Sequence, residues 1–90
     1  MPIVRFPAAM KYYADNQHEI SVSAANVSEA IRAVVARYPA LKFHVFNSEG
    51  QLRPHFNVFV NGAHIRELNG MDTALNDNDK VILMASAAGG

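Results

Sequence analysis

Val27, Ile31, Val34, Val35 and Tyr38 fall at offsets of four, seven, eight and eleven residues, the spacing of one apolar helix face. No other stretch of the chain repeats that stripe. Asn26 stands in front of it as an N-cap, with Glu29 three residues on, at the end of the helix where an acid is favoured. Arg37 sits near the opposite end, and Tyr38-Pro39 stops the helix because the residue before proline is pushed out of the helical region. A lone long helix covers one face of a sheet and leaves the other bare. The rest of the chain must supply that sheet.

It contains the material. Pro2 to Phe6 reads as a strand with Val4 and Phe6 on one face, and His18 to Ser23 as a second with Ile20 and Val22 alternating. The two predict a hairpin with a long connection. Leu41 to Phe46 is apolar and short, and reads as a partly buried connection or short strand. His55 to Val60 alternates, with Phe56, Val58 and Val60 opposite Asn57 and Phe59, and Asn61-Gly62 follows directly. That dipeptide suits a two-residue hairpin turn in which both positions need positive φ. Ala63 to Leu68 is then a short return strand, Met71 to Leu75 one helical turn, and Asn76 to Asp79 a polar turn. Lys80 to Met84 is the last strand. The order β-β-α-β-β-β predicts an α+β chain: a mixed sheet of four or five strands with one helix across it, as in a ubiquitin-like β-grasp. A ferredoxin-like sandwich needs a second full helix, and none is evident. The expected division is a β-grasp domain over 1–84 and a flexible tail over 85–90.

Composition narrows the function. Eight Lys/Arg balance eight Asp/Glu, so the basic footprint of a nucleic-acid binder is missing. No apolar run approaches the roughly 18 residues of a membrane span, and Arg5 and Pro7 interrupt the only short apolar stretch near the start. The expectation is a cytoplasmic protein. There is no cysteine, hence no disulfide, thiolate nucleophile or cysteine metal site. His18, His44, His55 and His64 lack metal-ligand spacing, so no metal is expected. Neither phosphate-binding glycine motif is present, and no serine lies in a nucleophile elbow. Asp77-Asn78-Asp79 lacks the glycine and glutamate of a calcium loop. No catalytic residue and no bound cofactor are expected.

The tail is the exception. From Val81 to Gly90 no side chain is charged, although Asp72 to Asp79 carries three acids. The chain closes Ala85-Ser86-Ala87-Ala88-Gly89-Gly90, small residues with no bulk to pack. Extended, six residues reach on the order of 20 Å, enough to carry a terminal carboxylate into another protein while the globule stays outside. Paired glycines suit a narrow channel.

With that ending the chain resembles the MoaD/ThiS family of ubiquitin-like sulfur carriers, nearest in tail and length to its MoaD-like and CysO-like members. Asp77 to Gly90 looks like the family's D-x-D-x-V strand and Gly-Gly close. Val4-Arg5-Phe6-Pro7 looks like its opening strand and Asn57-Val58-Phe59-Val60-Asn61-Gly62 like its N-x-x-V-N-G/D hairpin. The resemblance implies that a separate E1-like (MoeB/ThiF-type) adenylyltransferase uses ATP to activate the Gly90 carboxylate. A sulfur donor then displaces AMP, and the thiocarboxylate serves a downstream sulfur-accepting enzyme. Ala87, Ala88 and Gly89 would thread into the partner's active site. Ala85-Ser86 stand where many molybdopterin-synthase small subunits have Pro-Pro, and the Ala-Ala-Gly-Gly ending is closer to the carriers of cysteine synthesis. The alternatives are a ubiquitin-like modifier joined to lysines, or a small subunit resting in a molybdopterin-synthase-type complex.

Strand parity supplies a docking surface. If Val81 and Leu83 face the helix, Ile82 and Met84 face outward, as does Phe59 when Val58 and Val60 point in. Arg5 lies on the same side. The expected partner-binding patch is therefore Arg5, Phe59, Ile82 and Met84.

Overall fold

The computed structural model describes residues 1–86. Strands β1 (Ile3–Arg5), β2 (Glu19–Ser21), β3 (Phe56–Val60), β4 (Ala63–His64) and β5 (Lys80–Ala85) form one mixed sheet in the order β2-β1-β5-β3-β4. β5 pairs parallel with β1 and antiparallel with β3, so the last strand lies in the middle. Helix α1 (Val27–Arg37) covers one face. This is the ubiquitin-like β-grasp that the pattern of one helix and several strands predicts.

Helix α1 forms where the sequence places it. Asn26 Oδ1 accepts from the Glu29 N–H at 2.9 Å, and Glu29 Oε1 accepts from the Ala25 N–H at 3.0 Å, a capping box. The first helical N–H, on Val27, has no partner inside the helix and donates to the Thr73 carbonyl at 3.0 Å. Thr73 is itself held, its hydroxyl donating to the Gly70 carbonyl at 2.7 Å. The segment between β4 and β5 thus caps the helix. The buried helix face of Val27, Ala30, Ile31 and Val34 packs with Val4, Ile20, Val58, Val60, Val81 and Leu83 of the sheet. Val35 and Tyr38, at the edge of the stripe, are only partly buried against this core.

Three segments depart from the sequence expectations. Leu41 to Phe46 is helical, not a strand: a 3-10 turn over Pro39–Leu41 runs into α2 (Lys42–Val45). Leu41 and Val45, four apart, are buried with Phe46, whereas Phe43 is 63% exposed. Those spacings fit a helical turn and break strand alternation. The return strand stops at His64 because a 3-10 turn over Ile65–Glu67 follows. That turn swings Ile65 into the core instead of leaving it on a strand edge. Finally, β5 runs on to Ala85, which pairs with Phe56, and the Ser86 N–H donates to the His55 carbonyl at 2.7 Å. The chain is therefore still tied to the sheet at Ala85 and Ser86, the first two of the six residues expected to form the tail.

The Asn61-Gly62 turn forms as expected, with φ of 50° and 90° at its two positions. Between β1 and β2 a 3-10 segment, Ala8–Tyr13, fills the long connection. Among the described residues no helix is long and apolar enough to cross a membrane.

Candidate functional site

On the face opposite α1, one row of paired residues crosses all five strands. Glu19 on β2 is opposite Arg5 on β1, Arg5 opposite Ile82 on β5, Ile82 opposite Phe59 on β3, and Phe59 opposite His64 on β4. Directly paired residues share a face, so these side chains stand side by side. The next row toward the C-terminal end of β5 holds Met84 opposite Asn57. Arg5, Phe59, Ile82 and Met84, the four patch residues read from parity, are thus brought onto one open face. Met84 is 54% exposed and Arg5 is exposed, while Ile82 and Phe59 are half-buried between their neighbours. The burial of Val58, Val60, Val81 and Leu83 on the other side confirms the parity.

Charge lies on the β2 flank of the face. Arg5 and Lys80 each approach Glu19 at 3.8 Å, and both pairs are substantially exposed, so they orient side chains more than they stabilise the fold. Ile82, Phe59 and Met84 form the apolar middle. Beside them a groove of about 340 Å³ runs along the start of the first loop, lined by Arg5, Pro7, Ala8, His18, Ile82 and Met84 among others. It lies against the strand end from which the chain continues past Ala85.

On the other flank is a polar chain that the sequence reading did not include in the patch. The Arg66 N–H donates to His64 Nδ1 at 3.1 Å, and His64 Nε2 lies 3.1 Å from Asn57 Oδ1. Because Nδ1 accepts, the ring hydrogen belongs on Nε2, and Asn57 Oδ1 receives it. The remaining side of the amide, Nδ2, donates to Ser86 Oγ at 2.8 Å. The signal for Asn57 was present: a polar residue on the outward side of a central strand, in the same parity class as Phe59. The Phe59 ring meets His64 edge-on, 5.1 Å between centroids, which ties this chain to the apolar middle.

The other histidines are dispersed. His44 stacks on Tyr13 at 4.2 Å, and His55 lies tilted against Phe56 at 4.4 Å. Among the described residues no three His, Cys, Asp or Glu side chains gather as a metal site would require. Ala87, Ala88, Gly89 and Gly90, the expected threading residues and reactive end, lie outside the described residues. What the described part offers is an open, partly apolar sheet face whose central strand leads toward the terminal segment.

Comparison with known proteins extends this description. The model of the ThiS family matches residues 4–90. The small archaeal modifier protein 3 of Haloferax volcanii is 38% identical over 66 residues, covering 73% of this chain and 71% of that protein. The sulfur carrier protein CysO of Mycobacterium tuberculosis is 27% identical over 89 residues, 97% of this chain and 96% of that protein. The solution structure of small archaeal modifier protein 1 from Methanosarcina acetivorans superposes with a TM-score of 0.87 at 27% identity, over 99% of this chain and 95% of that one.

Proposed function

The chain belongs to the ThiS family, and from that premise we propose that it is a sulfur carrier whose reagent is the Gly90 carboxylate. Its relatives are small carriers and ubiquitin-like modifiers, and the observation that carries the reading is the match to a sulfur carrier over 97% of the chain. In the proposed cycle the Gly90 carboxylate attacks the α-phosphorus of ATP in a separate E1-like adenylyltransferase, and pyrophosphate leaves. A sulfide-level nucleophile then attacks the acyl carbon, the C–O bond to phosphate breaks, and AMP departs. A free carboxylate resists nucleophiles; the mixed anhydride supplies the leaving group. The thiocarboxylate so formed passes its sulfur to an acceptor enzyme.

The chain's own contribution is presentation. β5, central in the sheet, delivers the terminal segment at one end of the open face, and Arg5, Phe59, Ile82 and Met84 offer the partner a docking surface beside it. An apolar middle with a charged rim on one side and a polar one on the other suits a partner interface of moderate size. ATP is consumed by the partner.

Intact mass spectrometry after incubation with ATP, sulfide and a candidate adenylyltransferase tests the reading. The expected product carries one sulfur in place of one oxygen, and a variant without Gly90 does not form it. Sulfur incorporation by that shortened variant overturns the proposal. A second reading, a modifier conjugated to lysines, is favoured by the 38% identity to small archaeal modifier protein 3. It requires higher-mass adducts on other proteins that disappear with the same truncation.

A further inference from the structure

The clasp at Ser86 fixes one end of the segment that follows it. Ala85 is paired with Phe56, the Ser86 N–H is bonded to the His55 carbonyl at 2.7 Å, and Ser86 Oγ accepts from Asn57 Nδ2 at 2.8 Å. The four residues past Ser86, the last anchor among the described residues, can span at most about 14 Å, and the six from Ala85 on about 20 Å. A short segment leaving a fixed point samples a smaller volume than a longer loose one, so the clasp pre-organises the end group for entry instead of lengthening its reach.

We propose that Asn57 is the positioning residue of the tail, fixing at Ser86 the point and direction from which the terminal segment leaves the sheet. The inference rests on the reading of Gly90 as the reactive end. Asn57 is suited to the task because its own amide is not free to turn. His64 Nε2–H donates to Asn57 Oδ1, and His64 is in turn fixed by the Arg66 N–H on Nδ1. A turned amide would set its NH2 against the Nε2–H, donor facing donor. The chain from Arg66 through His64 and Asn57 to Ser86 therefore has one consistent direction of donation, and each member holds the next.

The same residues lie on the docking face. Asn57 is opposite Met84, and His64 is opposite Phe59 with the rings in edge contact. A partner seated on Phe59 and Met84 thus sits over the residues that hold Ser86. Docking and tail presentation share one set of side chains.

The test uses the full chain and four variants: Asn57→Ala, Ser86→Ala, the double variant, and Ser86→Thr, which keeps the hydroxyl. Amide hydrogen exchange at residue 86 and at Ile31 is followed by NMR. Loss of one hydrogen bond of ordinary strength predicts exchange at residue 86 faster by about fivefold in either single variant. Exchange at Ile31 stays unchanged, Ser86→Thr matches the parent, and the double variant is no faster than the singles. In the adenylation assay the same loosening raises KM by a similar factor and leaves kcat alone. A fall in kcat at unchanged KM overturns the positioning role. Unaltered exchange at residue 86 in Asn57→Ala, or additive effects in the double variant, overturns the clasp. Failure of the unmodified chain to be adenylated strikes the carrier reading instead, and the exchange measurement decides the clasp without it.

Discussion

Asn61 and Asp79 are joined side chain to side chain, Asn61 Nδ2 donating to Asp79 Oδ1 at 2.8 Å. Asn61 Oδ1 accepts from the Lys80 N–H at 3.0 Å, and Asp79 Oδ2 accepts from the Asn76 N–H at 2.8 Å. The tip of the β3–β4 hairpin is thereby tied to the entrance of β5. At the other end of the same strand pair, Asn57 holds Ser86. Two asparagines four residues apart on β3 and its turn thus grip the two ends of the strand that carries the tail. In the sequence they look like turn and surface residues.

Asp79 makes this grip sensitive to acid. The Asn76 N–H, and after it the Asn61 amide, hold the Asp79 carboxyl below the usual carboxylate range. Its folded value lies below its unfolded value, so the stabilisation is complete above the ordinary aspartate range. It fades as pH falls through the lowered value, where the unfolded chain binds a proton that the folded one refuses. Urea unfolding of the parent and of Asp79→Asn at stepped pH checks this. The parent is expected to be the more stable at neutral pH, with the gap closing on acidification. A gap independent of pH refutes the assignment.

How much of this was readable beforehand depends on whether the determinant is local. The α1 stripe, its Asn26 cap and the Asn61-Gly62 turn each carry their signal within a few residues, and each formed where expected. Strand parity is also local, which is why Arg5, Phe59, Ile82 and Met84 fell on one face. Leu41 to Phe46 misled because a short apolar run suits strand and helix alike. Only the burial of Leu41 and Val45 with Phe43 left outside settles the period. Ala63 to Leu68 misled because the decisive feature is His64 Nδ1 accepting from the Arg66 N–H, a side chain starting a 3-10 turn. The tie at Ser86 joins residues 29 apart in the chain, and no local pattern announces it.

Leu41 gives the α2 correction an energetic test. It is fully buried, at 0% exposure, in a segment whose backbone is helical. Leu41→Ala removes a packed side chain and leaves a cavity, a change that costs about 2–5 kcal/mol. In a chain of 90 residues that is a large share of a typical stability of roughly 5–15 kcal/mol. Phe43→Ala, two residues on and mostly exposed, is expected to change stability by no more than about 0.5 kcal/mol. Denaturant midpoints of the two variants give the comparison, and equal losses would contradict the placement of α2.

The Asn26 cap is testable in the same way. Its side chain satisfies the Glu29 N–H, and no other acceptor in the described residues is bonded to that donor. Asn26→Ala is expected to lower stability by about 1 kcal/mol, and Asn26→Asp or Asn26→Ser to recover most of it. Thermal unfolding at one fixed pH separates these cases.

Met84 and Leu83 are adjacent in β5 and point to opposite faces, which makes them a matched pair for the docking surface. Leu83 is 3% exposed and packs under α1, whereas Met84 is 54% exposed on the open face. Leu83→Asp places an unpaired charge in the core and is expected to abolish cooperative folding. Met84→Asp meets water, and its effect on stability is expected to stay within about 0.5 kcal/mol. If the open face receives the adenylating partner, Met84→Asp weakens association by about tenfold or more, as loss of a central apolar contact does. Titration of the partner that passes the mass-spectrometric assay measures this, with circular dichroism confirming the fold. A Met84→Asp variant that folds and binds like the parent removes Met84 from the interface and moves the docking surface elsewhere on the molecule.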